Sequence, residues 1–339
     1  MAAVPRPGRW LRAGGREGLI RLLSERPLFL LLLLAIIVVV NAALVPYFLT
    51  LGNLLSLTAY AVEIGLLALG EVVVIITGAG AIDLSVGSMV SFASMVFGLL
   101  LTRGHVPLWL GITLTLGFGV LMGSVNGLFV TVFRFPALIV TLATLYAYAS
   151  VPLVLTNTVP ISNLPSGLYR LTGSLDGVPT QVVVVFIPVV LVLGFVLHAT
   201  VLGRYVYSIG INELAARFAA VPVRWTRFAA FCLSGLLAGL TAVVTTSRFA
   251  SARPDAGMGM ELQAITIAVL GGASIAGGSG TVAGVVLATL LVTVMDNAMN
   301  VAGLQSTWQL GALGALLIGS ALLNQLVRQR FGTRRGRVG

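Results

Sequence analysis

Lysine is absent from all 339 residues, and only 9% of the chain is charged. Each scarcity excludes something. A phosphate-cradling GxxxxGK[ST] loop needs its lysine, so this chain carries no ATP site of that kind. A water-soluble domain of this size needs far more charged surface. One cysteine, Cys232, excludes an internal disulfide and reads as a small core residue. His105 and His198 are isolated, without metal-ligand company, and no metal site or catalytic side-chain cluster can be assembled on them.

Apolar residues are plentiful: 58% of the chain is hydrophobic and the mean hydropathy is +1.06. Crossing the hydrocarbon core takes about 20 apolar residues as helix. Ten segments qualify: 28–45, 54–77, 85–102, 109–133, 137–156, 181–199, 228–247, 261–277, 281–301 and 308–327. Those at 85–102 and 261–277 are the weakest and read as broken or re-entrant. Barrel strands would alternate polar and apolar residues, and runs such as Leu28–Val40 do not. The fold class expected is an all-α polytopic membrane protein.

The net charge of +10 reads as topology rather than nucleic-acid binding. Threading ten crossings from a cytoplasmic N-terminus leaves sixteen arginines inside and four outside (Arg103, Arg170, Arg248 and Arg253). That is the positive-inside bias, and the basic tails also attract anionic lipid. The organisation expected is a cytoplasmic tail at 1–27, a membrane domain at 28–327 and a cytoplasmic tail at 328–339. No clear cleavage site follows Leu28–Val45, which reads as a retained first helix.

Loops 157–180 and 248–260 should be external, and loop 200–227 cytoplasmic. Within the last, Asn212 is placed to cap a short helix Glu213–Ala220 that ends before Pro222. Most of the 40 glycines read as close helix packing in lipid. A weak repeat pairs the first four spans with four others about 200 residues later, with Glu63 matching Glu261.

Two stretches break the apolar pattern. In TGAGAIDLSVGS (Thr77–Ser88), Asp83 or Ser85 can cap a new helix, with Gly87 just inside it. A broken membrane helix is tolerated only against protein or a water-filled cavity, so the stretch reads as a cap, a hinge or a pathway-lining break. GGASIAGGSGTVAG, with Gly271, Gly272, Gly277, Gly278 and Gly280, reads as a tight cytoplasmic turn between packed helices, with Thr281 beginning the next. Glu63, Glu71 and Asp296 lie in or near apolar spans, where carboxylates are functional candidates by default. No arginine inside the spans is evident as their partner.

LALGEVVVIITGAGAIDLSVGSMVSFA, GSVNGLFVTVFRFPALIVTLATL, GRYVYSIGINELAARFAAVPV and ELQAITIAVLGGASIAGGSGTVAGVVLA follow one another in this chain. In that order they resemble the ribose-type ABC sugar permeases, which belong with the branched-chain amino-acid permeases. The resemblance runs from about residue 50 to 327, and SRFASARPDAGMGMEL is most similar to the autoinducer-2 and rhamnose branch. It implies a type II-like importer pore in the bacterial inner membrane. Its partners would be a second permease chain (identical or related), two ATP-binding-cassette ATPases that bind ATP and magnesium, and an external substrate-binding protein. This chain would hold no cofactor of its own.

The resemblance makes residues around Arg204, Gly210, Asn212, Glu213, Ala215, Ala216 and Arg217 the ATPase-coupling loop. Pathway or helix-break candidates are Glu71, Asp83, Ser85, Gly87, Asn126 and Glu261. Two departures stand out: Glu71 replaces a usual methionine or other uncharged residue, and TGAGA is longer than the common form before IDLSVGS. The competing reading is a proton-coupled secondary transporter that relays protons through Glu63, Glu71, Asp83 or Asp296.

Overall fold

The computed structural model describes residues 26–44, 47–175, 177–305, 307–316 and 318–319. Residues 1–25 of the expected N-terminal tail, the expected tail 328–339, and residues 317 and 320–327 of the expected span 308–327 lie outside the described residues. The helices in order are α1 (Arg26–Leu44), α2 (Leu51–Ile76), α3 (Val86–Thr102), α4 (Leu108–Thr131), α5 (Ala137–Thr156), α6 (Ile187–Ala199), α7 (Val201–Ile211), α8 (Glu213–Phe218), α9 (Val223–Phe249), α10 (Met260–Leu270) and α11 (Val282–Val301). A π-helical turn, Val182–Phe186, leads into α6. The expected external loop carries a 3-10 turn, Ser166–Thr172, and a two-residue hairpin, Ser174–Leu175 with Val178–Pro179.

Long unbroken apolar runs become helices because lipid offers no partner for backbone N–H and C=O groups. Polar residues then set several boundaries. Thr50, Thr200, Asn212 and Thr281 each accept a backbone N–H three residues on and begin α2, α7, α8 and α11. Among the described residues six helices are long and apolar enough to cross a membrane: α2, α4, α5, the continuous Val182–Ala199, α9 and α11. The expected spans 28–45, 85–102 and 261–277 contain shorter apolar helices.

Helix α2 is the axis of the bundle. Its apolar window is 89% buried, against 17% for α5 and for Val182–Ala199, whose outer faces are left for lipid. Helices α9, α10 and α11 pack around α2, and α9 also packs on α3 and α4. The α4–α9 crossing rests on glycine. A side chain at Gly119 would overlap the Gly235 carbonyl, and one at Gly123 the Phe231 carbonyl. Both helices carry a Gly-x-x-x-Gly pair there, Gly119/Gly123 and Gly235/Gly239.

Loop 248–260 is packed along its neighbours rather than hanging free. The backbone of Ile161 and Ala252 forms a two-bond antiparallel bridge. The chain then runs along α3: Ala252 lies against Gly98, Arg253 N–H donates to Ser94 Oγ (3.3 Å) and Gly257 N–H donates to Ser91 Oγ (3.0 Å). Gly257 ends against Gly87. From Gly98 to Gly87 is about 16 Å of helix at 1.5 Å per residue. The non-helical segment thus covers depth that the short α10 does not. Serine hydroxyls of α3 serve backbone groups that a helix would have served itself.

Candidate functional site

Gly78–Ala81, the ends of α4 and α7, helix α8 and the start of α9 meet at one end of the bundle. That end also carries Arg134, Arg217, Arg224 and Arg227. Three constructions sit on or near it.

The first is the break after α2. Asp83 is fully buried, and its carboxylate accepts from Ser85 N–H (3.0 Å), Ser85 Oγ (2.6 Å), Ser234 Oγ (3.1 Å) and Asn126 Nδ2 (3.3 Å). Asn126 Nδ2 also donates to Ser85 Oγ (2.8 Å). Asp83 N–H donates to Glu71 Oε1 (3.0 Å), while Glu71 Oε2 has no donor among the described residues. The Asp83 carboxylate thereby ties the break to the start of α3, to α4 and to α9, and the Asp83 N–H ties it to α2 through Glu71. Asp83 makes the cap-like bonds, while Ser85 stands at the cap position and turns its hydroxyl back to Asp83. Glu71, Asp83, Ser85 and Asn126 are all fully buried, so in this conformation none of them faces an opening. Gly87 sits against the Glu261 carboxylate, at the first turn of α10, where a helix N-terminus favours negative charge.

The second is a junction of glycines. Gly210, at the end of α7, lies against the Ile76 carbonyl and Gly278, and Gly277 lies against Gly78. Gly278 N–H donates to Ile76 O (2.9 Å), and Tyr207 Oη donates to Gly280 O (2.7 Å). Gly78, Gly277 and Gly278 have φ of 73°, 92° and 75°, a region that glycine enters without strain. Gly271 meets Gly284 backbone to backbone, and Gly272 turns the chain with φ of 108°. The tight turn expected here is present, and it packs on two further elements, α2 and α7.

The third is the 200–227 loop, which holds two helices rather than the one expected. Asn212 Oδ1 accepts from Ala215 N–H (3.0 Å) and starts α8, which ends at Phe218 rather than Ala220. Ala216 is buried with Ile209 and Val223. Arg204 and Ala215 are exposed. Glu213 accepts from Arg217 and, at 3.0 Å, from Arg227, whose Nη2 also donates to Thr77 O (3.1 Å). Burial raises the Glu213 carboxyl, but hydrogen bonds from Arg217 and then Arg227 outweigh it and hold its pKa below the ordinary value. The loop also presents Ile211, Leu214 and Phe218, 74%, 64% and 84% exposed. Sequence reasoning singled out the small and charged residues of this loop and missed these three.

One of the three span carboxylates, Glu63, does have an arginine partner, Arg248, which the sequence placed in the external loop. Arg248 pairs in two-pronged fashion with Glu63, its Nη2 donating to Oε2 at 2.9 Å. Helix α9 runs on to Phe249, which carries Arg248 back over α2. Nearby, Gln263 Nε2 donates to Asp296 (3.3 Å) and Tyr60 Oη donates to Gln263 Oε1 (3.3 Å). Glu63 lies mid-helix and Glu261 at a helix start, so the two do not occupy matching places. His105 lies in a turn, and His198 Nδ1 is 3.0 Å from Gly194 O. Among the described residues no group of three or more His, Cys, Asp or Glu converges as a metal site.

Comparison with known proteins places this geometry. Residues 53–321 match the family described as branched-chain amino acid transport system / permease component. The chain is 33% identical to the ribose import permease protein RbsC of Escherichia coli K12, over 89% of this chain and 94% of that protein. It is 32% identical to the D-allose transport system permease protein AlsC of the same strain, over 87% and 90%. It is 36% identical to the autoinducer 2 import system permease protein LsrD of E. coli strain HS, over 84% and 88%. No solved structure matches it. The chain therefore belongs to the family of branched-chain amino acid transport system permease components, and is a multi-pass inner-membrane transport subunit rather than an enzyme.

Proposed function

We propose that this chain is the membrane-spanning permease of an ATP-driven importer for a sugar or sugar-like solute. Ribose, allose and autoinducer 2, named in its relatives, mark the substrate class. In this reading the arginine-bearing end is cytoplasmic, in keeping with the positive-inside bias. An ATPase, which binds the ATP and magnesium, docks on α8. A second permease chain completes a type II-like pore, and an external protein delivers solute.

The observation that carries the reading is α8 itself. Asn212 caps it, Ala216 anchors it, and Ile211, Leu214 and Phe218 stand out from it. It adjoins Gly210, which touches the ends of both helix breaks. A push on α8 would move rigid packed helices between inward- and outward-open states.

The test is uptake and ATPase stimulation by the protein with its co-encoded subunits in vesicles. Gly210→Val, Asn212→Ala or Ala216→Trp should abolish both while leaving the protein inserted. Unchanged uptake and stimulation in all three would refute the coupling role. Uptake that survives ATP depletion but collapses with the proton gradient would instead establish a secondary transporter, with Glu71 and Asp83 as its first candidates for proton relay.

A further inference from the structure

Between the α2 break, the end of α4 and the start of α9 lies a cavity of about 380 Å³. Its wall includes Arg134, Arg217, Arg224 and Arg227, with Glu213 as its one carboxylate. Glu213 already holds Arg217 and Arg227. Among the described residues Arg134 and Arg224 have no carboxylate partner, and the buried Arg227 Nε has no acceptor. Four guanidiniums against one carboxylate leave a strong surplus of positive charge around an open cavity. Guanidiniums stay charged at any physiological pH and match the oxygens of a phosphate in forked geometry.

The flanks say where that phosphate comes from. Phe133 and Phe135, on either side of Arg134, are 57% and 52% exposed, and Trp225, beside Arg224, is 73% exposed. Phe129, Phe133 and Phe135 form one ring cluster, at 5.3 and 6.3 Å between centroids. Arg134 itself has a left-handed backbone, with φ of 60°, where the chain turns between these rings. A Trp ring at the end of a membrane helix sits at the level of lipid headgroups, and exposed Phe rings beside it offer an apolar wall to acyl chains. A soluble anion needs no such collar, whereas a lipid places its phosphate among the arginines and its acyl chains along the rings. Basic pockets between helices on the positive side of a membrane bind anionic headgroups.

We infer that the cavity between Arg134 and Arg224 binds the phosphate of an anionic phospholipid, next to helix α8. This does not rest on which solute the protein carries.

The test is native mass spectrometry of the full-length protein titrated with phosphatidylglycerol and, separately, with phosphatidylcholine of the same chains. Wild type should retain phosphatidylglycerol preferentially, and excess inorganic phosphate should not displace it. At about tenfold per 1.4 kcal/mol, and about 1 kcal/mol per arginine near a membrane surface, R134Q/R224Q should weaken retention about thirtyfold. R134K/R224K should recover most of it. The single variants, each expected to cost about fivefold, carry the test should the double variant fail to insert. Undiminished phosphatidylglycerol retention in the glutamine variants would overturn the inference. So would displacement by inorganic phosphate. Loss of ATPase co-purification with lipid retention unchanged would also overturn it, making the pocket an ATPase contact.

Discussion

Glu213 and Glu63 are both carboxylates held by arginine, and their surroundings give them different weight. Glu213 is half-buried at the start of α8, so its pairs are partly screened, and Glu213→Gln should cost about 1 kcal/mol. Its pKa is lowered on folding. The stabilisation is therefore present above the unfolded value of about 4.3 and is lost as pH falls through the folded one. Hydrogen exchange at Ala215–Ala219 should lose protection in that acid range, and the loss should vanish in Glu213→Gln. Identical acid profiles for the two proteins would show that the pair does not support α8. Glu63, in contrast, is buried, and only Arg248 keeps an exposed edge. Arg248→Ala strands a buried charge and should cost about 3 kcal/mol, read from unfolding in mixed micelles. Glu63→Gln/Arg248→Gln should recover much of that, and a double variant as unstable as the single would sink the account. Neither partner pointed to the other in the sequence, because 185 residues separate them.

Helix positions were legible wherever apolar runs were long, since lipid leaves the backbone no alternative to helix. Asn212, ahead of Glu213, likewise announced a helix start that the structure has. Two element-level features were hidden. Val201–Ile211 is helical although the loop read as containing one short helix, and the pull of its packing on Gly278 and Gly280 cannot be seen from local propensity. The descent of residues 250–257 along α3 was hidden too, because it depends on hydroxyls at Ser91 and Ser94. The α4–α9 crossing supplies a prediction with an internal control. Gly235→Ala drives a methyl into the Gly119 carbonyl and should destabilise by about 1–3 kcal/mol. Gly117→Ala, with open space around it, should be neutral or slightly stabilising. Equal thermal stabilities for the two would show that the crossing is looser than described.

Across the whole molecule, the fully buried Asp83 joins three helices and the break in the fourth. The sequence marked Asp83, Ser85, Glu71 and Asn126 as pathway or helix-break candidates but not as one cluster, and it gave no sign of Ser234. Asp83→Ala would leave several buried donors without acceptors, each costing about 1–3 kcal/mol, so its loss should exceed that of Ser234→Ala by at least 2 kcal/mol. Thermal unfolding followed by circular dichroism would check this, and similar losses for the two would deny Asp83 its central place.

The meeting of Gly78, Gly210 and Gly277 has a mechanical consequence. Side chains are the compressible part of a protein interface, able to swap rotamers and absorb a shift of an ångström. Where main chain abuts main chain there is no such cushion. A displacement of the α7–α8 corner would therefore reach the ends of α2 and the 271–281 turn almost undamped, and the two helix breaks would feel one stroke together.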